Sequence, residues 1–139
     1  GFYEKGIQEN PNDPHAYFNL AHSIYHNDRT RAKSYLEKAL QLDPGYEVAY
    51  LLSGRIDGLE GREEEALQKK RKALELFKQQ WKEKRLGSWA WSWMVPLANE
   101  LGEYALAKEF NDTRPTTEID KGYNADNLAQ SQNNMLTIN

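Results

Sequence analysis

"DPHAYFNLAHSIYHNDRTRAKSYLEKALQLDP", residues 13–44, overlaps "DPGYEVAYLLSGRIDGLEGREEEALQKKRKALEL", residues 43–76. Laid one over the other, the two stretches decide the fold. Ala32 and Ala39 recur 34 residues on as Ala66 and Ala73, and Tyr17 and Ala21 recur 33 residues on as Tyr50 and Gly54. The slip of one residue falls in the turn around Asn27 to Thr30. Small and large apolar residues return at helical spacing within each copy, so each copy reads as two antiparallel helices joined by a short turn.

Local chemistry supports these boundaries. Asp13-Pro14 offers an N-cap followed by proline at the first helical position. Asn10-Pro11 and Asp43-Pro44 end the preceding helices, because proline disfavours helix in the residue before it. Ala21 or Gly54 in the first helix, and Ala32 or Ala66 in the second, stand where paired helices approach closely. Gly58 and Gly61 weaken the first helix of the second copy near its end, and Gly61 suits a left-handed C-terminal turn.

The succession Tyr17, Leu20, Ala21, Asp28, Ala32, Leu36, Ala39, Pro44 resembles the tetratricopeptide repeat. The second copy runs Tyr50, Ser53, Gly54, Gly61, Ala66, Lys70, Ala73. Asp28 replaces the family's turn glycine, Ser53 and Lys70 depart from its apolar positions, and Lys78 stands where its closing proline belongs. Upstream, "FYEKGIQENP" is in register with the end of another second helix through Tyr3, Gly6, Ile7 and Pro11. The chain is therefore expected to start inside a repeat, as a fragment of a longer array or of a protein carrying one. The opening Gly1, rather than Met, leaves room for a removed leader or an upstream domain.

Without the proline, the second helix of copy two is expected to continue from about Glu63 to Leu86, closed by Gly87. A third copy follows as Trp91, Met94, Val95, Ala98, Gly102, Tyr104 and Ala107. Tyr50 to Trp91 and Ala66 to Ala107 both span 41 residues, about two helical turns beyond 34. "SWAWSWM", residues 88–94, then reads as a first helix with Ser88 as N-cap, kinked at Pro96. At 100° per residue, Trp91 takes the core position of Tyr17 and Tyr50, and Trp89 and Trp93 lie opposite it. Those two line a binding surface or cover the end of the preceding helix near Trp81.

The expected organisation is the end of a repeat helix at 1–11, repeats at 12–44, 45–87 and 88–114, and a polar capping helix or extended tail at 115–139. Thr117 with Asp120 resembles a capping box, and the capping helix is placed around 124–135. The fold class is all-α. The resemblance implies a solenoid of helix-turn-helix repeats with right-handed superhelical stacking, and a concave groove lined by the first helix of each pair. By register the groove residues are His15, Phe18, Asn19, His22, His26, Val48, Leu51, Arg55, Leu59, Trp89 and Trp93. One subgroup of the family binds the C-terminal carboxylate of chaperones through Lys and Asn groove residues. Phe18, His22 and Leu51 occupy much of that ground and Arg55 is the only firm cation, so that specificity is not carried over.

His22 and His26 have the i, i+4 spacing of a zinc pair, but Ser23 and Ile24 replace the protease motif's glutamate and His15 lies too far along the axis. A polar lining that titrates near neutrality is the simpler reading, and no metal or cofactor is expected. The basic run Lys69, Lys70, Arg71, Lys72, Lys78, Lys82, Lys84 and Arg85 reads as a solvated face with apolar stems or as a contact for an acidic partner or phosphate backbone.

The 139 residues carry 18 Lys and Arg against 21 Asp and Glu, a net charge of -3, and no cysteine. This balance argues against nucleic acid as main partner and removes thiolate chemistry. No stretch is long enough to span a bilayer, and no signal peptide is visible. The expectation is a soluble chain of the cytoplasm or periplasm. No phosphate loop, nucleophile elbow or apolar carboxylate pair is present, so no catalysis and no small-molecule substrate are expected. The resemblance implies a protein or peptide ligand bound in the groove. A structural subunit of a larger complex, or a regulatory domain cut from an enzyme, are the alternatives.

Overall fold

A computed structural model describes residues 1–115. Beyond Pro115, the expected tail, its Thr117–Asp120 capping box and its helix lie outside the described residues. Seven α-helices and no strand occur among the described residues. They fall into two compact units, one spanning Gly1–Arg85 and one beginning at Leu86.

The first unit holds α1 (Phe2–Glu9), α2 (Pro14–Ile24), α3 (Arg29–Leu42), α4 (Glu47–Leu59) and α5 (Glu63–Lys82). Each helix packs on the next in sequence, and α2 also touches α4. Asp13 caps α2 by accepting from the His15 N–H, with Pro14 at the first helical position. Asp28 caps α3 by accepting from the Arg31 N–H. Chain breaks fall at Asn10 and Asp43, each just before its proline. The small residues are spent as expected: Ala21, Ala32 and Ala39 are fully buried, as is Ala73. A Cβ on Gly54 would lie 3.0 Å from the Ala66 carbonyl oxygen, so α4 and α5 approach closely only because that position has no side chain.

The turn geometry repeats with the sequence. Gly61 and Gly102 both take left-handed φ, +82° and +79°. The N–H after each, of Arg62 and of Glu103, donates back to the carbonyl of Asp57 and of Ala98, both at 2.8 Å. This is the six-to-one bond of a Schellman C-cap, reproduced 41 residues apart. The first copy lacks it: its turn runs through Asn27 and Asp28, with both N–H groups on the Ile24 carbonyl.

Helix α5, at 20 residues, is six longer than the 14-residue α3. It stops at Lys82 rather than Leu86. Lys84 takes φ +57° and the Arg85 N–H bonds the Gln80 carbonyl, so a lysine makes the closing turn expected at Gly87.

The second unit contains a 3₁₀ turn at Ser88–Ala90, then α6 (Trp91–Glu100) and α7 (Tyr104–Asp112). Ser88 is thus the first residue of a 3₁₀ turn and makes no capping bond. Pro96 lies inside α6. It is exposed, as is Ser92, whose carbonyl loses the N–H that proline lacks. Trp91 is buried and its Nε1–H donates to the Phe110 carbonyl at 2.6 Å, tying α6 to α7. Met94, Leu97, Ala98, Ala107 and Phe110 are buried in the same unit.

Candidate functional site

Helix α2 buries Tyr17, Phe18, Leu20 and Ala21. Its other face carries His15, Asn19, His22 and His26 in solvent, the last just past the helix end. Offsets of 4, 7 and 11 residues put the four within about 60° around the axis. This stripe is set by sequence: the apolar residues claim the core and the imidazoles are left outside.

The stripe is supported from beneath by aromatic rings. Phe18 stacks on His22 with centroids 5.7 Å apart and meets Tyr46 at a tilt, 5.6 Å away. Tyr46 meets His15 edge-on at 4.9 Å, and its hydroxyl lies 2.7 Å from His15 Nδ1. Tyr25 lies between His22, at 6.0 Å, and His26, at 4.0 Å. Tyr46 escaped the sequence reading. It occupies the N-cap position of α4 but makes no side-chain cap bond. An aromatic residue where copy one has its capping Asp13 was the available signal, because a residue that cannot cap there is held for packing.

The site is electrostatically uneven. Partial burial, then the positive charges of Arg55 and His26, hold His22 below the ordinary imidazole range. Burial, then Glu47, Asp13 and Asp43, push the Tyr46 phenol far up, so it stays a neutral donor. Burial also raises Glu47, which is 8% exposed.

Not every expected groove residue reaches the surface. Leu51 is fully buried, Val48 is 3% exposed and Phe18 7%. Buried in this way, the three side chains offer little surface to a partner, unlike the lining residues they were expected to be. The reason is that α2, α3 and α5 all pack on α4, which encloses even its Glu47, Ser53 and Asp57. Arg55 is half-buried and Leu59, at the end of α4, is exposed. In the second unit Trp89 is 49% exposed, and its indole sits so close to Gly87 that a Cβ there would come within 2.9 Å. Trp93 is half-buried.

A second feature absent from the sequence reading lies at the other end of α4. Asp57 is 2% exposed and receives Arg62 and Lys69, each at 2.7 Å. Lys69 also donates to Ser53 Oγ at 2.8 Å, which explains why serine replaces an apolar residue there. Glu60 receives Lys33 of α3 at 2.8 Å and Arg62 at 2.6 Å. Burial raises Asp57, but its bonds to Lys69 and Arg62 outweigh that and hold it below the ordinary carboxylate range. The cluster ties α3, α4 and α5 together.

Beside His15 and Asn19 a cleft of about 360 Å³ opens between α1 and α2, with Phe2, Tyr3, Gly6 and Ala16 on its walls. Among the described residues, no three of His, Asp or Glu gather as metal ligands. No helix there is long and apolar enough to cross a membrane.

A family model for the tetratricopeptide repeat matches residues 2–33. The match covers α1, α2 and the start of α3, including Tyr17, Leu20, Ala21 and Ala32. No curated protein matches the chain.

Proposed function

We propose that this chain, whose residues 2–33 match the tetratricopeptide repeat, is a scaffold that holds a peptide or helix of a partner protein on the face carried by α2 and α4. Repeats of this family generally mediate protein–protein interaction and are typically non-catalytic. The right-handed stacking that makes the first helices concave belongs to this reading. One observation carries it: His15, Asn19, His22 and His26 share an exposed stripe whose imidazoles rest against Tyr46, Phe18 and Tyr25. Polar groups on a rigid aromatic floor offer orientation at low entropic cost. Trp89 and Trp93 offer aromatic contacts on the second unit, where partly exposed indoles suit hot spots.

The test places a photo-crosslinking residue at Asn19 on α2 or at Lys72 on the exposed side of α5, with capture from native extract. A partner crosslinked from 19 and not from 72 supports the reading. Capture from 72 alone moves the contact to the basic helix. Loss of the same partner in Trp89→Ala/Trp93→Ala, with helicity intact, adds the two tryptophans to the site.

An assembly role is the second reading. Phe2 is 84% and Tyr3 40% exposed on α1, a helix with no buried residue, and exposed aromatics commonly mark contacts.

A further inference from the structure

The outward face of α5 carries acids and bases in a definite order. Glu64, Gln68, Arg71, Glu75, Lys78 and Lys82 recur at alternating intervals of four and three residues, the spacing at which one helix faces another. Glu64 and Lys82 stand five whole turns apart on one line along the helix, and Arg71 and Glu75 lie about 20° to either side of it. That line runs opposite Ala73, which is fully buried. Lys78 is half-buried and the other five are exposed. Nearby cations are already engaged: Lys69 holds Asp57 and Ser53, and Arg85 holds Glu83 and Gln80. The side chains of the six make no ion pair or hydrogen bond among the described residues.

An acid near the start and a base near the end suit the helix dipole, which accounts for Glu64 and Lys82. It does not account for Arg71 before Glu75, the weaker order for a pair within one helix. A uniformly anionic ligand would meet Glu64 and Glu75 on the same line as the bases. The pattern is instead its own complement when reversed: Glu64 and Lys82, Gln68 and Lys78, and Arg71 and Glu75 are each placed symmetrically about Ala73.

We infer that this face of α5 binds the same face of a second copy of this chain, the two helices antiparallel about a two-fold axis at the level of Ala73. Glu64 of one copy then meets Lys82 of the other, and Arg71 meets Glu75. A two-fold contact makes each pairing twice, so four ion pairs form, with the stems of the basic side chains supplying apolar contact between them. Exposed pairs are individually weak, so the dimer forms only as concentration rises and is screened by salt. It lies apart from the α2 face, and two joined copies offer a partner two such faces.

The test follows the full chain, Glu64→Lys and Lys82→Glu by sedimentation equilibrium at low and high salt, with far-UV circular dichroism confirming equal helicity. The parent chain should dimerise at low salt and dissociate at high salt. Either substitution turns two attractive pairs into two repulsive ones, and should weaken self-association about tenfold. Mixed one to one, the two variants should pair as well as the parent does, because one is acidic and the other basic at both ends of the contact. Lys38→Glu, the same charge change on an exposed position of α3, should leave association unchanged. A chain that stays monomeric at low salt up to its solubility limit overturns the inference. So does association that Lys82→Glu leaves intact, or that mixing fails to restore. Crosslinking of an acidic protein from position 72 by a chain that stays monomeric would give the face to that partner instead of a second copy. None of these positions lies on α2, so each of these failures leaves capture from position 19 to be decided on its own.

Discussion

Helices α2 and α4 occupy the same place in successive copies, yet α2 shows water a full stripe and α4 shows it almost none. Phe18 is equivalent to Leu51, His22 to Arg55 and His26 to Leu59. The register pairs these positions, yet their exposure differs. What decides exposure is what packs around each helix. Helix α4 lies against α2, α3 and α5, and nine of its 13 residues are buried, Glu47 and Asp57 among them, while α2 keeps a face of imidazoles in solvent. A repeat thus fixes which positions correspond, and the helices packed around each copy fix which of them remain available to a partner.

The largest expected effect tests that distinction directly. Leu51→Ala should lower stability by about 2–5 kcal/mol, as expected for a buried leucine that leaves a cavity. His22→Ala, one repeat earlier and one helical turn along, should stay within about 0.5 kcal/mol. Urea unfolding followed by circular dichroism measures both. Comparable losses would mean that α2 is as much a core helix as α4.

Next in size is the close approach of α4 to α5. Helix propensity favours alanine over glycine by about 1 kcal/mol. At position 54 the added Cβ would meet the Ala66 carbonyl oxygen at 3.0 Å, and overpacking typically costs about 1–3 kcal/mol. The clash should win, so Gly54→Ala is expected to be net destabilising. Position 21, its equivalent on α2, already carries the methyl group, and Ala21→Gly should also cost stability, through lost burial and weakened helix. A gain in Gly54→Ala would show that the two helix pairs have the same spare room.

These contrasts also mark how far the sequence could be read. The paired helices, the cap at Asp13 and the close approach at Gly54 are local or periodic features, and they stand in the chain as spacing. The left-handed turn at Gly61 was legible from its glycine near the helix end, and Gly102 repeats it. The end of α5 was less legible, since Lys84 supplies a left-handed turn without glycine. Tyr46 and Asp57 could not be placed from spacing alone: their partners, His15 at one end of α4 and Lys69 at the other, lie 31 and 12 positions away. The exposed stripe His15, Asn19, His22, His26 was legible because it follows from one helix. The burial of Leu51 was not, because it depends on what surrounds another.

Smaller effects should appear where α4 meets the α2 stripe. Tyr46→Phe removes the hydroxyl 2.7 Å from His15 Nδ1 and leaves the ring in place. A loss of about 0.5–1.5 kcal/mol is expected, the usual net worth of one hydrogen bond. The same change in a His15→Gln background should cost less, and that difference measures the coupling. An undiminished loss would mean that the phenol, and not its bond to His15, matters.

The smallest effect separates the two ends of α4 by the sign of their pH dependence. Glu47 is raised chiefly by burial, so the folded chain binds its proton more readily than the unfolded chain, and stability falls as pH rises through the carboxylate range. Asp57 is lowered, because Lys69 and Arg62 outweigh its burial; its contribution is present above the ordinary aspartate range and is lost as pH falls through its folded value. Glu47→Gln should accordingly be slightly more stable than the parent chain at pH 7, with the advantage disappearing near pH 4. Asp57→Asn should be less stable at pH 7, with its deficit shrinking on further acidification below that point. Urea midpoints measured from pH 3 to 7 give both curves. If Glu47→Gln loses stability at pH 7, the glutamate is held there by a favourable interaction that outweighs its burial, and the two ends of α4 are alike in kind.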